Sequence, residues 1–364
     1  MHDIQYIKRA MQLALKVQGE TSPNPLVGAL LVKNGRIIAQ GYHKRCGSDH
    51  AEIVALKKAG DRARGATLYV TLEPCFHFGR TPPCVEAILE SGIKKVVIGM
   101  RDPNPLTNGK SIAKLRRARV QVKVGLLEEE LTKMNEAFVK YVTKRMPFVV
   151  AKCAQTLDGK IATATGQSKW ITSEATRKFA RQLRNDFDAI LVGIRTVLKD
   201  NPRLTAAART KRIKKIILDS SLQIPKRARL FQGTDPADCF IATTGQAELS
   251  KINFFRKKGI NVIVCPQRQG HIQLKWLFKE LAKKGVTSIL LEGGAHTLGC
   301  ALKEKLVDKM HIYVAPKIFG DQKALSAVTG LRITDLARAI QLRNLEIRKI
   351  YEDIFIQGYV YRHR

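Results

Sequence analysis

Short apolar runs and stretches of helical periodicity alternate along this chain from one end to the other. Val27–Val32, Thr67–Leu72 and Val96–Met100 are β-branched and aliphatic runs of strand length bounded by turn residues, and they predict three strands. Apolar positions three and four residues apart predict helices over Ala51–Lys58 and Pro83–Ser91, and one longer amphipathic helix over Glu128–Lys144. The opening residues, through Ala10–Leu15, read as a further amphipathic helix and lack the charge-then-apolar-then-small order of a secretory leader. The pattern breaks at Arg145-Met146-Pro147, because a proline ring cannot continue a helix. Strand-like runs then recur at Phe148–Ala151, Ala189–Val192, Lys215–Leu218, Cys239–Ala242, Asn261–Val264, Ser288–Leu291, Met310–Val314 and Asp353–Tyr361. Alternation of this kind predicts two α/β domains, residues 1–145 and 146–364.

Composition adds limits. With 45% hydrophobic and 26% charged residues the chain is of globular type, and no apolar stretch approaches the ~18 residues of a membrane span. Seven cysteines at scattered positions argue for a reducing compartment, so a cytoplasmic protein with no membrane partner is expected. The net charge of +33 would suit a nucleic-acid binder. Its distribution argues otherwise, since residues 1–145 carry 25 basic and 13 acidic side chains and residues 146–364 carry 39 and 18. No basic arm stands out, and the densest cluster, Arg116, Arg117 and Arg119, has no aromatic residues on which bases could stack. The excess is therefore read as a solvated basic surface, with no nucleic-acid partner.

The chemistry sits in two short stretches. His50-Ala51-Glu52 opens a predicted helix, and Pro74-Cys75 follows a predicted strand with Cys84 nine residues later. One imidazole and two thiolates make three ligands for a tetrahedral zinc and leave one corner open to water, as in a catalytic site. Glu52 is a carboxylate two residues from His50 that is not itself a ligand, placed to carry protons. H-x-E followed by P-C and a second cysteine is the pattern of zinc nucleobase deaminases. A lone cysteine is more often a small buried hydrophobe, but the ordered set is hard to assemble by accident. His43 and His77 stand near the ligand loops as candidates for substrate contact, whereas His2, His271, His311 and His363 read as surface or packing residues.

These residues carry a resemblance. The run Pro23-Asn24-Pro25-Leu26-Val27-Gly28, the His50–Glu52 triplet, Glu73-Pro74-Cys75 through Gly79-Arg80-Thr81-Pro82-Pro83-Cys84, and Asp102-Pro103-Asn104-Pro105 together resemble the bifunctional riboflavin-biosynthesis deaminase/reductase family. Eight residues between the cysteines set it apart from the C-x-x-C of polynucleotide and cytidine deaminases. The second half is similar to the family's reductase domain at Ala154–Ala162, Ser168–Thr172, Asp188–Gly193, Thr196–Pro202 and Leu291–Gly294. The resemblance implies a cytidine-deaminase-like three-layer αβα domain followed by a dihydrofolate-reductase-like α/β domain. It implies zinc and NADPH as cofactors, a phosphorylated pyrimidine as substrate, and assembly into a homo-oligomer.

By the same resemblance Glu52 is catalytic, His50, Cys75 and Cys84 hold the metal, and Asn24 lies in the pyrimidine pocket. The NADPH site would comprise Ala154, Trp170, Thr196, Asp200, Ser220 and the segment Gly294, Ala295, His296, Thr297, Leu298, Gly299 and Cys300. Lys152, Ser168, Arg184, Leu204 and Glu292 would face the sugar phosphate. Glycines after a strand also make physical sense at Gly293-Gly294, where backbone amides could approach an anion before a helix begins. The chain departs from the family twice: Ala206-Ala207-Ala208 stands before Arg209 where a second substrate arginine is usual, and Arg195 replaces a small residue beside Thr196. The rival reading is a polynucleotide (tRNA) deaminase with an accessory domain, which would employ the positive charge but leaves the second half without a task.

Overall fold

The computed structural model describes residues 2–78, 82–208 and 211–361, so Gly79, Arg80 and Thr81 of the cysteine loop, Arg209 and His363 lie outside the described residues. The chain separates into two compact units, Met1–Met146 and Pro147–Arg364.

The first unit runs α1 (Asp3–Leu15), β1 (Gly28–Lys33), β2 (Arg36–Tyr42), α2 (Ala51–Ala59), β3 (Thr67–Leu72), α3 (Cys84–Glu90), β4 (Lys95–Met100), α4 (Lys110–Arg117), β5 (Gln121–Val124), α5 (Glu128–Met134) and α6 (Glu136–Lys144). Its sheet has the order β2-β1-β3-β4-β5. β1 is antiparallel to both neighbours, and β3, β4 and β5 are parallel. Two glycines explain how helices cover it. Register pairs Gly28 with Tyr42 and Ala29 with Gly41, so the two glycines lie on opposite faces. A Cβ at Gly28 would fall 2.0 Å from the Ala10 carbonyl oxygen of α1, and one at Gly41 would fall 2.3 Å from that of Ala51 in α2. Only glycine admits backbones this close, so α1 and α2 sandwich the sheet as a three-layer αβα domain. Leu30, Leu68, Val70, Val96 and Ile98 form the fully buried centre.

One expected element is divided. The predicted helix over Glu128–Lys144 is interrupted at Asn135, which has φ −111° and ψ 21°. Asn135 is buried, and its side chain accepts from the Leu26 amide at 2.8 Å and donates to the Leu26 carbonyl at 3.1 Å. The apolar period runs on across the break, which is why the sequence pattern looks like one helix. The strands β2 and β5 and the helix α4 were not anticipated; β2 begins exposed and β5 is never fully buried, so neither shows a clean apolar run.

The second unit contains β6 (Phe148–Thr156), β7 (Lys160–Ala162), α7 (Glu174–Gln182), β8 (Ala189–Gly193), α8 (Ile194–Asp200), β9 (Lys214–Leu218), β10 (Cys239–Thr243), α9 (Leu249–Lys257), β11 (Asn261–Val264), β12 (Gln267–Arg268), β13 (His271–Ile272), α10 (Leu274–Lys283), β14 (Ser288–Leu291), α11 (Ala295–Lys303), β15 (Lys309–Ala315), β16 (Leu325–Ser326), β17 (Leu342–Ile350) and β18 (Asp353–Val360). Nine strands form one sheet in the order β11-β10-β9-β8-β14-β6-β15-β18-β17. From β11 to β15 every neighbouring pair is parallel, and β18 and β17 close the edge antiparallel. Each predicted strand of this half is present. β17 was not expected, because seven of its nine residues are exposed and show no apolar face. Among the described residues no helix is long and apolar enough to cross a membrane.

Candidate functional site

His50 is the N-cap of α2, in extended conformation, and its carbonyl accepts the Val54 amide at 3.0 Å. The turn that follows carries Glu52 inward, where it is buried. Cys75 leaves the end of β3, and Cys84 opens α3 directly after Pro83. These three elements bring His50 Nδ1 within 3.1 Å of Cys84 Sγ and 3.5 Å of Cys75 Sγ, while the Cys84 amide donates to Cys75 Sγ at 3.2 Å. The three ligand atoms lie within 4.8 Å of one another, the only such group of histidine, cysteine and acidic side chains among the described residues. Zn–S and Zn–N bonds of ~2.3 and ~2.0 Å fit within that span.

The electrostatics suit a cation. A hydrogen bond from Cys84, followed by His50, draws the Cys75 thiol down to about 4. The Cys84 thiol is pushed far up, by its hydrogen bond to Cys75 and by burial, and so keeps its proton. Two sulfurs thus share one proton beside an imidazole, and a divalent ion would displace it. Burial raises the Glu52 carboxyl to about 7, with the Cys75 charge adding to the effect.

A second layer orders the pocket. Glu73, just before Pro74, is buried and accepts the amides of Gly109 (2.9 Å), Asp102 (3.3 Å) and Ile112 (3.3 Å), fixing the loop that holds the D-P-N-P run. Asp102 is raised to about 6 by burial and in turn accepts the Asn104 amide at 2.9 Å. His43 Nδ1 lies 3.1 Å from the Asp49 carbonyl oxygen, which makes that nitrogen the donor and leaves Nε2 to accept from Asn24 Nδ2 at 3.0 Å. Asn24, His43, His50, Glu52, Cys75 and His77 line one cavity of about 290 Å³. Sequence reasoning missed the role of Glu73; its place in the E-P-C run was the available signal.

In the second unit a cavity of about 650 Å³ lies at the carboxyl ends of the parallel strands. Lys152, Ala154, Ser168, Trp170, Thr196, Asp200, Ser220, Glu292, Gly294, Ala295, His296, Thr297 and Cys300 all line it. Gly294 is the N-cap of α11. Four expected residues do not line the cavity. Leu298 and Gly299 lie on the inward face of α11, and Leu204 is buried in the core, because a helix or tight turn cannot present every residue to one side. Arg184 is turned toward Glu292, donating from Nε and Nη2 at 2.8 Å each, while Nη1 donates to the Thr205 carbonyl at 2.9 Å. Burial alone would raise Glu292, but this fork holds it below its ordinary value.

Comparison with known proteins follows the division of the chain. Residues 1–100 match the cytidine and deoxycytidylate deaminase zinc-binding region, and residues 147–356 match the RibD C-terminal domain. Fold and site together define a two-domain enzyme, a zinc-binding deaminase joined to a reductase. The riboflavin biosynthesis protein RibD of Aquifex aeolicus is 44% identical over 97% of each chain. Among solved structures, RibD of Acinetobacter baumannii is similar with a TM-score of 0.89, 33% identity and 99% of each chain covered. A diaminohydroxyphosphoribosylaminopyrimidine deaminase/5-amino-6-(5-phosphoribosylamino)uracil reductase from Thermotoga maritima is similar with a TM-score of 0.86, 37% identity and the same coverage. The chain belongs to the RibD family of bifunctional deaminase/reductases of riboflavin biosynthesis.

Proposed function

We propose that the first unit deaminates 2,5-diamino-6-(5-phosphoribosylamino)pyrimidin-4(3H)-one, and that the second reduces the ribosyl group of the resulting 5-amino-6-(5-phosphoribosylamino)uracil to ribityl with NADPH. The observation that carries the first half is the convergence of His50, Cys75 and Cys84 beside a buried Glu52. Zinc held by those three side chains would supply the Lewis acidity that activates water near neutral pH. Glu52 takes one proton from the attacking water and gives it to the ring nitrogen, then carries the remaining hydroxyl proton to the departing amine, so that water in and ammonia out balance. A carboxyl group raised above its ordinary range by burial is suited both to accept and to give a proton. Asn24, its amide nitrogen engaged by His43, is left to present its carbonyl oxygen to a donor on the pyrimidine.

In the second unit NADPH would supply hydride to the ribose C1 in its ring-opened form. Gly293 and Gly294, ahead of α11, leave backbone amides free to approach the pyrophosphate. Glu292 and Lys152 face the substrate hydroxyls, with Arg184 fixing the carboxylate by its fork. The protein's part in this step is orientation. Supplying the diaminopyrimidine phosphate with NADPH, and following ammonia release and nicotinamide absorbance separately, tests both halves. Glu52→Gln is expected to slow ammonia release by roughly 10²–10⁴-fold. It should leave reduction of added aminouracil phosphate intact. Unchanged ammonia release would refute the assignment of Glu52.

A further inference from the structure

The reductase cavity holds a cluster of basic side chains that the reading above leaves without a task. Arg195 opens α8 just beyond β8, His296 sits in the first turn of α11, and His271 lies on the β12–β13 hairpin; all three line the cavity. The rings of His271 and His296 are 5.0 Å apart. Burial, then His271 and Arg195, hold His296 below its ordinary value, which places the three within electrostatic reach of one another. Among the described residues no carboxylate forms an ion pair with them. Asp200 is paired with Lys169 at 3.3 Å, Asp219 accepts the amides of Gln223 and Ile224, and Glu292 is held by Arg184. Among the described residues no acid pairs with Arg195. A metal is not the natural occupant, because among the described residues only the His50, Cys75 and Cys84 group brings three ligand atoms together. One fixed guanidinium with two imidazoles beside it, none ion-paired to an acid among the described residues, forms a receptor for an anion, whose arrival would favour the protonated imidazoles.

The sheet order says which anion. Lys152 lies midway along β6 and Glu292 just past β14, whereas Arg195 follows β8 and Ser220 follows β9, and the order across the sheet is β9-β8-β14-β6. Strands are spaced by ~4.8 Å, so the reacting end and the Ser220 end are separated by roughly 14 Å, a span suited to an extended dinucleotide. With the nicotinamide beside Glu292 and the pyrophosphate at Gly294, the adenosine half falls toward Ser220 and His271. There the phosphate monoester at the 2′ position, carrying a charge of about −1.5 to −2, distinguishes NADPH from NADH. We propose that Arg195, His271 and His296 clamp the 2′-phosphate of NADPH and make this reductase selective for the phosphorylated dinucleotide. The inference rests on the NADPH reading above and adds to it Arg195 and His271, which sequence reasoning treated as a departure and as a surface residue.

Binding of NADPH, NADH, 2′,5′-ADP and 5′-ADP, measured by calorimetry on the full-length zinc-loaded protein, tests it without turnover. Arg195→Gln is expected to weaken NADPH and 2′,5′-ADP by about tenfold or more, the effect of losing a charge-assisted hydrogen bond, while NADH and 5′-ADP change less than twofold. His271→Asn should act in the same direction with a smaller factor. Arg195 is exposed, and an unchanged thermal transition for the variant would confirm that it folds. Equal losses for NADPH and NADH, or no loss for either, would overturn the clamp. Wild type that binds neither dinucleotide would instead overturn the cofactor reading beneath it.

Discussion

At the scale of single residues, the burial of a titratable group controls what it contributes. His311 on β15 is 7% exposed, and burial, then Lys309, depresses it to about 4 with only partial opposition from Glu346. Its ordinary value is 6.5. The folded state therefore resists protonation that the unfolded chain accepts. The stability this group permits is fully present above about pH 6.5 and is lost as pH falls from there toward 4, a difference of about 3 kcal/mol. His311→Leu should flatten that acid limb in urea midpoints measured from pH 4 to 7.5; an unaltered slope would show that other groups dominate. The convergence of His50, Cys75 and Cys84 could be anticipated because the pattern is short-range in sequence: H-A-E lies on one turn, and P-C closes one strand. Partners across the chain could not. Nothing at position 184 announces that its guanidinium forks onto a carboxylate 108 residues away.

At the scale of elements, the break at Asn135 couples packing to the cavity that Asn24 lines. The Asn135 amide satisfies both backbone groups of Leu26, two residues after Asn24. Replacing it by alanine orphans a buried N–H and C=O at ~1–3 kcal/mol each. Asn135→Ala should therefore lower stability by about 2–6 kcal/mol. It should also raise the deaminase KM more than it lowers kcat, because the segment carrying Asn24 loosens while Glu52 stays in place. A kcat loss with constant KM would contradict this. Strands with a buried side could be read from their apolar runs, as at Thr67–Leu72 and Ser288–Leu291. β17 could not, since an edge strand that buries no face carries no alternation.

At the scale of the whole molecule, two separate cores permit separate responses to metal. Both tryptophans, Trp170 and Trp276, belong to the second unit. Zinc binds the folded first unit and adds stability that grows with the logarithm of its free concentration. A chelator should therefore bring forward the loss of part of the far-ultraviolet dichroism and leave the tryptophan fluorescence transition where it was. A matching shift in fluorescence would show that the two cores unfold together.

The amino-acid order by itself determined the two α/β halves, the break near Pro147 and the motifs whose side chains, His50, Cys75, Cys84 and Glu52, come together, because periodicity and short motifs are local and survive in one dimension. Tertiary structure decided the rest: which glycines admit helices to the sheet, that Glu73 holds the D-P-N-P loop, that Arg184 belongs to Glu292, and that Arg195, His271 and His296 share one cavity wall. Those relations join residues tens to more than a hundred positions apart. Only the closing of the sheet, strand against strand, sets the distances on which hydrogen bonds and charges depend.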